Sequence, residues 1–367
     1  MIPLVDLKTE YEELKLEINQ VIKEVLESSQ FILGAKGKEL EDNISSYVGT
    51  AYGIGVANGT DALLLSLEAL KIGPGDEVIT TPFTFFATAE VISRVGATPV
   101  FVDIDPLTYN IDAALIEPVI TGRTKAIIVV HLFGQAADMD AILKISRKHN
   151  LRVIEDACQA IGAGYKGKKV GSFGDTGCFS FFPSKNLGAY GDGGMIVTKS
   201  QNLRLEIETL RNHGSAKRYV HTKIGLNSRL DEIQAAILSV KFKRIDEWNN
   251  KRIKKAAEYS RKLSKFVHVP FVAEKRQHVF HQYCIETTQR EKLADFLQQK
   301  EIATGIYYPV PLHLQQVFNQ LGYNKGDFPV SESASKSILA LPMNPMMTDA
   351  QQSQVISAIE EFFGDQV

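Results

Sequence analysis

Cysteine is scarce in this chain: three in 367 residues, at Cys158, Cys178 and Cys284. An odd, scattered set gives no disulfide framework, no zinc spacing and no redox pair, so a reducing, cytoplasmic compartment is expected. Cys158 and Cys178 stand among apolar or small residues, which predicts buried free thiols. Net charge is almost absent too: 41 basic against 43 acidic residues leave -2. That balance excludes a broad electrostatic attraction to nucleic acid or to anionic membrane. The lysines between Lys251 and Lys255 read as a solvated helix face. No apolar run is long enough to cross a bilayer. The amino terminus lacks a basic region followed by an apolar stretch, so no signal peptide is expected. Internal repeats and low-complexity tracts are missing as well.

What is present is ordinary in amount and regular in arrangement. Hydrophobic residues make up 44% and charged residues 23%, values of a globular protein large enough for two domains. Helical periodicity covers residues 11–28 and 38–48. Short apolar runs then recur at 53–57, 77–80, 98–102, 126–131, 152–155, 177–182 and 195–198. Helical patterns at 61–70, 87–95, 111–120 and 139–149 separate the first five. This alternation predicts an α/β fold with a mostly parallel sheet covered by helices on both faces. A long helical stretch over 230–263 carries the single Trp248, where it is expected to bend or split. Beyond it the pattern turns to strand at 279–286, helix at 290–300, strand at 304–308 and a closing helix at 349–362. We therefore expect a large domain over residues 1–248 and a smaller α+β domain over 249–367.

Lys185 is the residue whose setting points most directly to chemistry. The run Cys178-Phe-Ser-Phe-Phe-Pro-Ser-Lys185 ends an apolar strand at a proline, delivers one lysine and enters a glycine-rich loop up to Gly194. A lysine held beside buried aromatics loses hydration, becomes a neutral amine more easily and can attack a carbonyl. The same pattern also fits a surface lysine at a strand end. Asn58-Gly-Thr-Asp61 follows a strand and opens a helix. It fits either an anion held by backbone N–H groups and the Thr60 hydroxyl, or a plain helix cap. Glu155-Asp156 ends another strand, where ligands of open α/β sheets bind. Adjacent strand residues face opposite ways, so only one of these carboxylates reaches a ligand, and the residues alone leave open which.

Three other patterns are set aside. Gly162-Ala-Gly164-Tyr-Lys-Gly167 matches GxGxxG but does not lie between a strand and an amphipathic helix, so no nicotinamide site is expected. His278 and His281 fall on opposite faces of a predicted strand, which disfavours a shared metal, and no metal is expected. Acidic pairs such as Glu360-Glu361 read as exposed helix faces.

Taken in order, several segments resemble the DegT/StrS family of pyridoxal-phosphate-dependent nucleotide-sugar aminotransferases. They are Ile2-Pro-Leu-Val-Asp-Leu7, Ala57-Asn-Gly-Thr-Asp-Ala-Leu63, Pro82-Phe-Thr-Phe-Phe-Ala-Thr88 and Glu155-Asp-Ala-Cys-Gln-Ala160. Ser180-Phe-Phe-Pro-Ser-Lys-Asn-Leu187, Gly191-Asp-Gly-Gly194 and Gly225-Leu-Asn-Ser-Arg-Leu-Asp-Glu-Ile-Gln-Ala-Ala236 complete the set. The resemblance spans nearly the whole chain. It implies a fold type I aminotransferase, with a mixed seven-stranded sheet in the large domain, and a homodimer with active sites shared at its interface.

The resemblance also implies roles. Lys185 forms the Schiff base with pyridoxal 5'-phosphate and moves the proton. Asp156 pairs with the pyridine nitrogen, Gln159 lies near the ring hydroxyl and Phe85 stacks on the ring. Gly59, Thr60 and Ser180 hold the phosphate, and Asn227 reaches it from the partner subunit. Arg229, Tyr307, Tyr308 and His313 are the expected substrate-binding residues, Arg229 because its fork matches oxygen pairs. The reaction implied is ping-pong transfer from glutamate to C3 of a nucleotide-linked ketosugar. Segments 213–219 and 227–229 look like those of aminotransferases for UDP-2-acetamido-3-oxo-hexuronates. Related enzymes often carry histidine where this chain has Tyr307, and only histidine becomes cationic near neutral pH. Neutral UDP-3-keto-N-acetyl sugars and dTDP-3-keto-6-deoxyhexoses therefore stay open, as do C4 amination and a catalytically silent, cofactor-binding regulatory protein.

Overall fold

The computed structural model describes residues 1–364. Two helices, α1 (Leu7–Ser28) and α2 (Ala35–Val48), precede the first strand. The sheet strands are β1 (Tyr52–Val56), β2 (Glu77–Thr80), β3 (Thr98–Phe101), β4 (Thr124–Val130), β5 (Arg152–Asp156), β6 (Thr176–Ser180) and β7 (Gly194–Thr198). They form one seven-stranded sheet in the order β1-β7-β6-β5-β4-β2-β3. Only β7 runs against both neighbours, β1 and β6; the other pairings are parallel. The sheet is thus mixed and mostly parallel.

Helices cover both faces, so the central strands are apolar throughout rather than alternating. On one face α3 (Gly59–Ala69) is buried almost all round, with Leu63, Leu65 and Leu67 packed on Ile54, Ile154 and Ile196. On the other face Leu40, Ile44 and Val48 of α2 pack with Ile127, Val129, Val153 and Phe179. Each such side chain contributes about 1.5–3 kcal/mol by leaving water. α4 (Ala87–Arg94) and α5 (Met139–His149) complete the crossovers, and α6 (Gln201–Leu210) follows β7.

The long helical stretch is two helices, α7 (Glu232–Phe242) and α8 (Ile245–Leu263). They divide at Lys243–Arg244, not at Trp248. Trp248 packs with Leu14, Ile18 and Val240, whereas Ala256, Tyr259 and Leu263, further along α8, join the core of the smaller body. The boundary expected after Trp248 therefore falls in the first turn of α8. The smaller body pairs β8 (Tyr283–Glu286) with β9 (Ile338–Leu341) in antiparallel fashion, together with α9 (Arg290–Gln299) and α11 (Asp349–Gly364), while α10 (Pro329–Ser337) leads into β9. Ile2 also belongs here: its N–H donates to the Glu301 carbonyl at 2.7 Å and its carbonyl accepts from Ala303.

Other expectations are corrected. Residues 111–120 are not a helix but two 3-10 turns, Ala113–Leu115 and Glu117–Val119. Asp112 caps only the first, and Pro118 has no N–H for a longer ladder. Residues 304–308 make no strand beyond a bridge between Gly305 and Ala340. Lys255 is 9% exposed and faces Asp349, so it is no part of a solvated face. Cys178 and Cys284 are buried thiols, but Cys158 is partly exposed. The GxGxxG stretch folds as a hairpin between Gly164–Tyr165 and Lys168–Lys169, with no helix following it. No helix among the described residues is long and apolar enough to cross a membrane.

Candidate active site

The carboxyl ends of β4, β5 and β6 lie side by side, with Val130 beside Asp156 and Asp156 beside Cys178. The strand pleat sends the two β5 carboxylates to different surroundings. Glu155 is fully buried, and its oxygens accept from the N–H groups of Gly171, Phe173 and Gly174 at 2.7, 2.6 and 2.8 Å. Its Oε2 also lies 2.9 Å from His131 Nε2. Glu155 is thereby committed to holding the loop after the hairpin. Asp156 is 6% exposed; its Oδ2 accepts from the Thr88 hydroxyl at 2.8 Å and its Oδ1 from the Cys158 N–H at 3.2 Å. A carboxylate has about four acceptor positions, so Asp156 keeps capacity to spare.

Next to it is the start of α3. Asn58 is extended and its side chain accepts from the Asp61 N–H at 2.8 Å, which caps the helix. A Cβ on Gly59 would lie 2.7 Å from Ser180 Cβ and 2.9 Å from Cys158 Sγ. Glycine is thus needed for β5, β6 and α3 to converge. The arrangement leaves N–H and hydroxyl donors of Gly59, Thr60 and Ser180 at a helix N-terminus, a neutral cradle suited to a phosphate. Ser228, fully buried, accepts from the Ala57 N–H at 3.1 Å and so brings its exposed neighbour Asn227 toward this end of the sheet.

Lys185 is presented by the turn after β6. Its N–H donates to the Phe182 carbonyl at 2.8 Å, and the next side chain, Asn186, anchors the turn on Asn249 and on the Val279 carbonyl at 2.8 and 3.1 Å. Burial pushes the Lys185 ammonium below the usual lysine value, opposed by the Asp156 carboxylate. The Cys158 thiol is itself pushed well up, by burial and then by Asp156, so it stays protonated. Lys185, Asp156, Cys158, Ser180 and Gly59 therefore form one cluster.

Aromatic residues and an amide close the remaining side. Gln159 accepts from the Phe133 N–H at 2.8 Å and donates to the Tyr308 hydroxyl at 2.9 Å. Burial raises the Tyr308 phenol, with Asp156 adding to the rise against the Gln159 hydrogen bond, and burial raises that of Tyr307. Both stay neutral. The ring of Phe85, 57% exposed, is 6.4 Å from that of Tyr308, and Tyr307 is 6.0 Å from Tyr308.

Of the expected substrate residues, one is placed away from this opening and another is held by a neighbour. His313 is 1% exposed, its Nε2 lies 3.1 Å from Glu332, and its ring packs on Phe328, so it belongs to the core and not to this opening. Arg229 donates to the Asn212 side-chain oxygen at 3.2 Å. Sequence reasoning missed Thr88, which orients Asp156. Its signal was present, a hydroxyl at the start of a helix that follows an aromatic run. Chemically, the cluster offers donors for an anion at one end, a carboxylate for a protonated ring nitrogen, and between them an amine with lowered proton affinity. That donor set fits pyridoxal phosphate.

The comparisons agree with this chemistry. Residues 12–360 match the DegT/DnrJ/EryC1/StrS aminotransferase family. The "pleiotropic regulatory protein" of Geobacillus stearothermophilus is 54% identical over 99% of this chain and 98% of its own. The UDP-N-acetyl-3-dehydro-alpha-D-glucosamine 3-aminotransferase of Acidithiobacillus ferrooxidans is 48% identical over 98% and 97%. Among solved structures, DesV of S. venezuelae, in complex with a ketimine intermediate, superposes with a TM-score of 0.96 at 40% identity, covering 98% of both chains. Another, ntda of Bacillus subtilis with bound cofactor PMP, has a TM-score of 0.90 at 32% identity over 96% and 82%. The chain belongs to the DegT/DnrJ/EryC1/StrS aminotransferase family.

Proposed function

We propose that this chain transfers an amino group from glutamate to C3 of a nucleotide-linked ketosugar, with pyridoxal 5'-phosphate as cofactor. One observation carries the reading: Lys185, its ammonium destabilised by burial, lies within electrostatic reach of Asp156 and Cys158 beside the Gly59–Ser180 cradle. When bound, the cofactor supplies a carbonyl for Lys185 and an electron sink for the substrate carbon.

The chain's own residues do the rest. Gly59, Thr60 and Ser180 hold the phosphate through neutral donors, and Asn227 of a second copy adds an amide in a homodimer with shared sites. Asp156, kept in place by Thr88, holds a proton on the ring nitrogen by placing an anion beside it. Phe85 covers the ring face, and Gln159, tied to Tyr308, lies at the ring hydroxyl. Lys185, as a neutral amine, would take the proton from the substrate carbon and hold it for return. Arg229 is the partner for the diphosphate, because its fork matches paired oxygens.

Tyr307 and Tyr308 favour a neutral sugar over a hexuronate. A phenol carries no positive charge in either protonation state, so neither ring supplies a cation to pair with a sugar carboxylate. This agrees with the Acidithiobacillus relative, whose name specifies a 3-keto-N-acetylglucosamine nucleotide. The name of the Geobacillus relative favours a second reading, a silent cofactor-binding regulator. Lys185 and Asp156 speak against it, since binding without turnover does not require that pair.

The test is a half-reaction screen of the aminated holoenzyme against UDP- and dTDP-linked 3- and 4-ketosugars. Amination at C3 of a neutral sugar is expected. Turnover of 4-ketosugars alone would overturn the regiochemistry, and no turnover of any ketosugar would favour the regulator.

A further inference from the structure

Lys241 is fully buried on the largely apolar helix α7, and it takes no part in the amino transfer described above. Its Nζ lies 2.5 Å from Glu10 Oε1 of α1 and 4.9 Å from the centre of the Tyr190 ring. The contact with Glu10 is an ion pair without a well-aimed hydrogen bond. The ammonium instead donates to the Gly188 carbonyl. Burying an ion pair often gains no stability over apolar residues of the same volume, so stability alone does not account for a lysine here. What an apolar residue cannot do is donate to a carbonyl.

Gly188 lies in the loop that presents Lys185. The loop leaves the end of β6 at Phe181, and the Ala189 N–H closes it by donating to the Phe181 carbonyl at 2.7 Å. Inside it the chain folds back on itself: a Cβ on Gly188 would lie 2.2 Å from the Pro183 carbonyl oxygen. Leu187 and Ala189 are fully buried and share a core with Leu238 of α7. Lys185, on the other half of the loop, is partly exposed.

The helices α7 and α8 hold the buried half from behind. Gln234 accepts from the Tyr190 N–H at 2.9 Å and donates to the Tyr190 carbonyl at 3.3 Å. Lys241 lies about two turns further along the same face of α7, with Leu238 between them. Asn249 of α8 accepts from Asn186 at 2.8 Å. The chain just after Lys185 is thus fastened at residues 186, 188 and 190 by polar side chains of one helix pair. We propose that Lys241 is a positioning residue: its ammonium, held by Glu10, fixes the Gly188 carbonyl and with it the loop from which Lys185 reaches the cofactor. It acts through the loop and touches neither cofactor nor substrate. This rests on Lys185 being the cofactor lysine.

The test measures amide hydrogen exchange, by peptide mass, and single-turnover amino transfer from glutamate in the full-length holoenzyme. In Lys241→Met the peptide over residues 182–190 exchanges about tenfold faster or more, while peptides from α1 and β5 change much less. The rate at saturating glutamate falls about tenfold, and the half-saturating concentration barely moves. Exchange that accelerates equally over α1, β5 and the loop would make Lys241 a purely structural ion pair and overturn the proposal. Unchanged exchange over the loop would overturn it too. If the single variant does not fold, Glu10→Gln combined with Lys241→Met leaves no buried charge unpaired and is measured in the same way, with the same outcomes deciding. Should the wild-type enzyme form no visible absorbance band with pyridoxal phosphate, the reading of Lys185 fails and this inference with it. A band that forms on Lys185, with loop exchange and rate untouched in the variant, removes only this inference.

Discussion

Glu155 and Asp156 are consecutive on one strand, yet they belong to two unlike regions. Around Glu155 the chain supplies its own partners: three backbone N–H groups and His131 use up the carboxylate. Around Asp156 each oxygen has a single donor, burial destabilises the ammonium of neighbouring Lys185, and Gly59 lets the start of α3 approach Ser180 and Cys158 closely. Both regions are buried and polar, so burial alone does not separate structural from functional groups. What separates these two carboxylates is that the chain uses up the acceptor positions of Glu155 and leaves part of those of Asp156 unused. A fully satisfied network fixes a fold, whereas a partly satisfied one beside an activated amine is built for a ligand.

The comparison can be broken by substitution. Lys185→Ala is expected to abolish the visible band with pyridoxal phosphate and to reduce amino transfer by at least about a thousandfold, measured by spectrophotometry and single-turnover kinetics. Asp156→Asn should lower transfer about a hundredfold or more while the urea midpoint barely moves. Glu155→Gln should do the reverse: about 3 kcal/mol of stability lost in urea unfolding, with the activity of the folded fraction nearly retained. If the last two variants behaved alike, the division between the regions would be wrong.

Gly59→Ala gives a smaller effect. Its methyl meets Ser180 and Cys158, so cofactor affinity should fall about tenfold in an equilibrium titration, with about 1–3 kcal/mol of strain. A separate effect concerns acid. His278 is pushed from 6.5 down to about 3 in the folded protein. The unfolded chain therefore binds a proton that the native state refuses. Stability contributed by the neutral ring is complete above about pH 6.5 and is lost as pH falls toward 3. His278→Asn should flatten that part of the stability profile in urea titrations.

Much of this was legible in the chain itself. Period and punctuation revealed the parallel sheet, because strands buried on both faces must be apolar runs. The cap at Asn58 was visible because a helix start favours that residue type, whereas the lysine after Pro183 gained its role only through the family resemblance. Other features depended on contacts far apart in sequence. Glu155 and Asp156 could be told to diverge but not which way, since the donors to Glu155 come from residues 171–174. The segment at 304–308 has strand-like composition but bonds to β9 only through Gly305. His313 was expected at the substrate only through the family resemblance, and Glu332 and Phe328, distant in the chain, draw it into the core.

The most direct measurement is borohydride reduction of the full-length enzyme mixed with pyridoxal phosphate, followed by peptide mapping. The account predicts one cofactor-derived mass increment, on the peptide carrying Lys185, and none in Lys185→Ala. An unlabelled Lys185, or a label placed on another lysine, would contradict it.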